Sequence, residues 1–341
     1  MKYIKINELE NIKLQPVLAS DKMLALDLED QVHIYDIESL KQLESKHFGG
    51  KSNIEVIDNE VYLYLNDSLE RINLKTLDLE KKWKKEFGQI AYVDKEYVAE
   101  QLCDRKSKKL RLAMFECSPS RLIWEREFTG HRFARNFVKG LFLTDINFTY
   151  LIKLNLETGE ELWSYSLPEE EKVEGNVYVY ENILVIPSKA GQTPFDKTYL
   201  QGINMNTGEL LWRRESNIYL YQNNRTGLLY AFGGEVYIVI NPKNGETLVK
   251  EEFKGIKEAN KLLIVSNMCR MCGNGLYFIS DYVENYYDCQ FGKINTDSHE
   301  IEFIQKLDVA EGVKADPPIY YNGRIYIKDS LNTLHIYEQV G

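Results

Sequence analysis

The sequence predicts an all-β fold built from repeated four-stranded antiparallel sheets, and three observations carry that prediction. A short polar turn followed by an apolar or aromatic residue recurs along the chain; the segments between turns are short β-branched and aromatic runs; and almost no segment keeps a 3.6-residue apolar period for three turns.

Aligned on the turn, the copies read YDIESLKQLES from Tyr35, INLKTLDLEKKW from Ile72, FECSPSRLIWERE from Phe115, LNLETGEELWSYS from Leu154, INMNTGELLWRRE from Ile203, INPKNGETLVKEE from Ile240 and INTDSHEIEFIQK from Ile294. Consecutive copies lie 37 to 54 residues apart, the spacing of one unit with variable loops. Between them, runs such as KMLALDL, EVYLYL, NILVIP and GRIYIK read as strands of period two, bounded by Asn, Asp and Gly. Each unit is thus a sheet of strands a to d, with the turn as the c–d hairpin. Gly159, Gly208 and Gly245 supply the positive φ that such a turn needs.

All four tryptophans, Trp83, Trp124, Trp163 and Trp212, fall on the strand after the turn, Trp83 displaced by two residues; Val249 and Phe303 hold the position later. Four indoles in one register predict a repeated packing slot between neighbouring sheets.

Seven turns and a terminal half-copy, LHIYEQ from Leu334, predict eight sheets arranged radially as a β-propeller, with seven the alternative. The last unit supplies three strands before the chain stops. The segment KYIKI at the N-terminus can pair with it as the fourth, which closes the ring and removes an exposed edge.

A turn Asp/Asn-x-x-Thr-Gly-x-x-x-Trp ending an all-β unit of about 40 residues resembles the pyrroloquinoline-quinone-type (PQQ-like) propeller repeat, clearest over residues 151–252. That family includes quinoprotein alcohol dehydrogenases and the propeller lipoprotein of outer-membrane protein assembly. The resemblance implies one PQQ-like propeller domain over residues 1–341, akin in architecture to WD40 propellers. It leaves function open, because the repeat residues are structural. Adjacent cysteines and an acidic calcium site, as in the dehydrogenases, are not found, nor is the lipoprotein's N-terminal lipidation cysteine.

A formal charge of −10 and a pI near 5.3 argue against a nucleic-acid partner and for a protein partner with a basic surface. The N-terminal residues alternate apolar and charged side chains without an export-signal pattern, and no run is apolar enough to span a bilayer. The five scattered cysteines suit reduced thiols. These features predict a cytoplasmic protein without a membrane partner.

In a propeller the a–b and c–d turns share one rim and the b–c and d–a loops the other. Length varies on the second rim, at residues 187–198, 280–292, 103–109, 168–175 and 308–318. The candidate partner-binding residues lie there: Asp281, Tyr282, Glu284, Tyr286, Tyr287 and Asp288 interleave carboxylates with phenols, Glu169, Glu170 and Glu171 add an acidic run, and Phe195 sits in a long b–c loop.

Catalytic signatures are missing. Cys269 and Cys272 have zinc-knuckle spacing, and Cys289 or His299 would have to complete the site, but neither brings the second close pair of a structural zinc centre. His33, His47, His131, His299 and His335 are dispersed, with His33 and His335 at comparable places in c-type strands. Arg132 and Arg135 concentrate charge in what reads as a d–a loop. The leading expectation is a protein-binding propeller without catalysis or cofactor, narrowed by its acidity to an immunity protein that neutralises a basic toxin. The competing class is an enzyme or a receptor for a sugar or cofactor at the mouth of the central channel.

Overall fold

The computed structural model describes residues 2–47, 53–57, 60–64, 68–84, 88–93, 96–104, 106, 109–117, 120–129, 132–136, 140–145, 147–191, 197–216, 219–260, 263–281 and 288–340. Strand β1 (Lys2–Leu9) opens the chain but belongs to the last sheet. Sheet 1 is β2 (Val17–Ala19), β3 (Lys22–Leu26), β4 (Gln31–Asp36) and β5 (Gln42–His47); sheet 2 is β6 (Asn53–Ile57), β7 (Glu60–Tyr64), β8 (Ser68–Ile72) and β9 (Leu79–Lys84). Sheet 3 is β10 (Gln89–Val93), β11 (Tyr97–Asp104), β12 (Lys109–Cys117) and β13 (Ser120–Thr129); sheet 4 is β14 (Arg132–Asn136), β15 (Leu141–Asp145), β16 (Tyr150–Leu154) and β17 (Glu161–Ser166).

Sheet 5 has a divided first strand, β18 (Glu171–Val173) and β19 (Tyr178–Tyr180), both on β20 (Ile183–Ala190), followed by β21 (Thr198–Asn204) and β22 (Leu210–Glu215). Sheet 6 is β23 (Tyr221–Gln222), β24 (Leu229–Gly233), β25 (Val236–Ile240) and β26 (Thr247–Glu252). After a short helix α1 (Ile256–Asn260), sheet 7 is β27 (Leu263–Cys272), β28 (Gly275–Asp281), β29 (Gln290–Asn295) and β30 (Ile301–Lys306). Sheet 8 is β31 (Ile319–Tyr321), β32 (Arg324–Lys328) and β33 (Leu334–Val340), completed by β1.

The fold is therefore an all-β, eight-bladed propeller of antiparallel four-stranded sheets, with eight rather than seven sheets. Closure follows the expected route: β1 pairs antiparallel with β33, from Lys2 opposite Val340 to Leu9 opposite Leu334. In all eight sheets the ladder between the third and fourth strands shifts by one residue. A bulge on an outermost strand bends it and discourages pairing with another chain.

Contacts group the chain into two compact units, one of Met1–Ile54, Ile218–Asn241 and Glu246–Gly341, the other of Glu55–Asn217 and Pro242–Gly245. In the first, the cores lie between sheets 6 and 7, 7 and 8, and 8 and 1; Tyr277, Phe291 and Phe303 meet Tyr3, Ile325 and Tyr337, for example. In the second, they lie between sheets 2 and 3, 3 and 4, and 4 and 5, as where Phe142, Leu151 and Trp163 meet Leu184, Ile186 and Ile203.

Burial between two neighbours covers both faces of an inner strand. Met23, Leu24, Ala25 and Leu26 are all buried, as are Leu229, Tyr230, Ala231 and Phe232, so these strands read as continuous apolar runs and not with period two. Alternation survives on the outermost strands, where Trp163 is buried between exposed Leu162 and Ser164.

Candidate interaction surface

The recurring turn is built by its asparagine. Asn155 Oδ1 accepts from the amides of Glu157 (2.8 Å) and Thr158 (3.0 Å), and Asn204 repeats this with Asn206 and Thr207, Asn73 with Lys75 and Thr76, and Asn295 with Asp297 and Ser298. The same construction closes Asn223 to Gly227, an a–b hairpin between β23 and β24 that lies outside the seven aligned turns. The motif is thus not confined to c–d hairpins.

Three of the four tryptophans on the strands after the turns bind sheets together in one way. Trp124 Nε1 donates to Leu156 O (2.7 Å), Trp163 Nε1 to Met205 O (2.8 Å) and Trp212 Nε1 to Pro242 O (3.1 Å), in each case on the next turn along the chain. Each indole also covers the glycine of that turn: a Cβ on Gly159, Gly208 or Gly245 would come within 2.7, 2.9 and 2.5 Å of Trp124, Trp163 and Trp212. Trp83 differs. Its ring lies 4.7 Å from that of Phe115, and its Nε1 donates to the buried carboxylate of Glu100.

The b–c hairpins carry a second recurring device. Asp27 Oδ1 accepts from the amides of Glu29 and Gln31 (2.8 Å each) while Oδ2 meets His33 Nε2 at 2.8 Å; Asp329 does the same with Leu331, Thr333 and His335 (2.9 Å to the ring). Asp145 holds the amide and hydroxyl of Thr149 in sheet 4. His33 and His335 therefore fix hairpins.

Of the predicted binding residues, Tyr282, Glu284, Tyr286, Tyr287 and Phe195 lie outside the described residues, as does the side chain of Asp281, whose backbone ends β28 opposite Leu263. Half-buried Asp288 pairs with Lys306 (3.2 Å), and its carbonyl accepts from Ser280 Oγ (2.6 Å). Glu169 and Glu170 are exposed on the turn that enters β18.

Glu171 corrects the expectation of an open acidic run. It is 4% exposed; one oxygen accepts from Ser188 Oγ (2.7 Å) and Gln201 Nε2 (3.0 Å), and the other pairs with Arg213. Tyr165 OH donates to Gln201 Oε1 (2.5 Å), and the Arg213 guanidinium lies 3.6 Å over the Tyr199 ring. Strand β18 pairs with β20 through Glu171, Lys172 and Val173, so the carboxylate points into the sheet it joins. It anchors a strand.

The remaining candidates are dispersed. Cys269 and Cys289 are buried and Cys272 half-buried as free thiols; Cys269 Sγ donates to Phe232 O (3.6 Å), and burial pushes its pKa far up. Among the described residues no group of His, Cys, Asp or Glu is arranged to hold a metal. His299 Nδ1 instead meets Tyr237 OH at 3.1 Å. His47 is exposed, and His131 lies outside the described residues. Arg132 and Arg135 belong to β14, not to a loop as their polar surroundings suggested; their side chains are not described.

Topology and repeat together define the class, an eight-bladed β-propeller whose repeats resemble the PQQ-like kind. Over residues 120–267 the chain matches the family model described as outer membrane protein assembly factor BamB. No curated protein matches it in sequence. Its fold is similar to that of BamB from Moraxella catarrhalis (TM-score 0.60, 12% identity, 99% of this chain and 100% of that one). It is also similar to the computationally designed Ika8 protein (0.65, 11%, 98% of each) and to a europium-containing methanol dehydrogenase (0.58, 8%, 99% and 93%). Identities this low show the fold alone.

The match to an outer membrane protein assembly factor corrects two expectations, the cytoplasmic location and the exclusion of a membrane partner. Both leaned in part on the N-terminal residues. Those residues form β1, so their alternation records pairing with β33 and carries no information about compartment. No helix among the described residues is long and apolar enough to cross a membrane.

Proposed function

We propose that this chain is a non-enzymatic propeller that binds another protein, serving as an assembly factor of the BamB kind at an outer membrane. The observation that carries this reading is the match of residues 120–267 to the BamB model, supported by fold similarity to a BamB over 99% of the chain. The repeat chemistry fits it: the tryptophans and turn asparagines are spent on seams and hairpins, which leaves recognition to the loops of the opposite rim.

Glu169 and Glu170 are exposed on the turn that enters β18, and the sequence of residues 281–288 has the same acidic character. With a net charge of −10, the partner surface is basic. A narrower reading, an immunity protein that neutralises a basic toxin, rests on that charge alone.

A photo-crosslinking residue at position 170, compared with one at position 243 in a c–d turn, tests the proposal in cells. Crosslinking to an envelope assembly component from 170 and not from 243 supports it. Equal crosslinking from both positions, or none from either, overturns the rim assignment; capture of a soluble toxin supports the narrower reading.

A further inference from the structure

Nine arginine side chains are described. Eight of them have a carboxylate or a backbone carbonyl: Arg71 pairs with Glu60 and Glu80, Arg111 with Glu125, Arg121 with Glu116, Arg213 with Glu171, Arg225 with Asp297 and Arg324 with Glu338, while Arg126 and Arg214 donate to the carbonyls of Thr158 and Gly245. Arg270 has no such partner among the described residues. Burial nonetheless holds its guanidinium below the usual arginine range.

Its setting is a constructed one. Arg270 lies on β27, the first and therefore an edge strand of sheet 7, directly opposite Tyr277 of β28. Tyr277 is stacked on Tyr320 (5.3 Å between centroids, 12° between planes), and the next amide back along β27, that of Cys269, donates to Tyr221 OH (3.1 Å). Asp316, Cys272 and Tyr221 act on the guanidinium through their charge when ionised, but Asp316 forms no ion pair with it. Arg270 is half-buried, so a solute can reach it.

A desolvated cation without a counter-ion is costly, and a guanidinium offers five donors in a planar fork that matches carboxylate and phosphate oxygens. We propose that Arg270 is the anchor of an oxyanion site on the edge of sheet 7, one that takes the carboxylate or phosphate group of a small ligand. Half-buried Tyr221, whose hydroxyl accepts from the neighbouring Cys269 amide, supplies a flat apolar wall for the rest of that ligand, while Tyr277 is itself buried in the core. The site is independent of the acidic rim.

The full-length protein is titrated with sodium phosphate, sodium acetate and sodium chloride at matched ionic strength, and melting temperature and heat of binding are recorded. The proposal expects a saturable rise in melting temperature with phosphate or acetate beyond the chloride control; which anion acts distinguishes the two chemistries. Arg270→Gln should lose that rise, and Arg270→Lys, which keeps the charge without the fork, should weaken binding about tenfold. Arg270→Met should melt higher than wild type in dilute buffer, because a partly desolvated charge without an ion pair among the described residues has gone. Wild-type curves that coincide in all three salts, or an undiminished rise in Arg270→Gln, overturn the site.

Discussion

The seams that follow sheets 3, 4 and 5 and the seam that follows sheet 6 start from the same turn and are closed differently. In the first three, an indole bonds a carbonyl of the next turn and covers its glycine. In the fourth, Val249 stands where the tryptophan would, His299 where the glycine would, and Tyr237 fills the gap with its hydroxyl on His299 Nδ1. His299 adopts φ +62° without being glycine, as do Leu40 at +55° and Leu77 at +62°. The left-handed turn residue is therefore tolerated with a side chain; the indole is what requires glycine.

The largest way to break this comparison is to remove the indole. Trp163→Ala should cost about 3–5 kcal/mol in chemical denaturation, as loss of a large buried aromatic does, and would leave Met205 O with Lys153 Nζ as its remaining donor. Next comes Gly208→Ala. A Cβ there meets Trp163 at 2.9 Å while φ is +77°, so overpacking of about 1–3 kcal/mol adds to a left-handed cost of about 1 kcal/mol. Gly234, at φ +63°, has nothing within 4 Å of an added Cβ, and Gly234→Ala should show only the left-handed cost, about 1 kcal/mol.

A smaller effect sharpens the contrast between seams and hairpins through pH. Burial pushes the Asp27 carboxyl up, but the amides of Gln31 and Glu29 and the ring of His33 outweigh it and hold the pKa below the usual value of 3.8. A carboxyl lowered in the folded state stabilises the fold above its unfolded pKa, and that stability is lost as pH falls through the folded value. Thermal unfolding of Asp27→Asn should thus lose less stability than wild type between about pH 4 and pH 2, with Trp163→Ala showing no such change in slope. Smallest of all, His299→Gly should stay within about 1 kcal/mol of wild type, since one lost hydrogen bond is offset by relief at a positive φ.

Sheet number, closure and the tryptophan slot were legible in the sequence because each is a local signal repeated many times. Asn155, Gly159 and Trp163 recur as Asn204, Gly208 and Trp212, and the terminal strands show their shortage of a fourth partner. The second duty of the turn glycines was not legible, since an indole from a sheet some 30 to 40 residues earlier supplies it. Glu171 looked like its exposed neighbours because β18 is only three residues long, too short to display a period. Arg270 was hidden by its flanking cysteines, whose spacing reads as a metal motif while the arginine between them is the group without an ion pair among the described residues. Compartment was illegible because a closing strand and an unsignalled N-terminus share one pattern of alternation.

The most direct test of the seam is a double-mutant cycle between positions 163 and 208, read by equilibrium denaturation. If the indole is what forbids a side chain at Gly208, then Gly208→Ala should cost much less in a Trp163→Val background and fall to the cost of Gly234→Ala. The same cost with and without Trp163 would contradict the account and return the glycine to the turn alone.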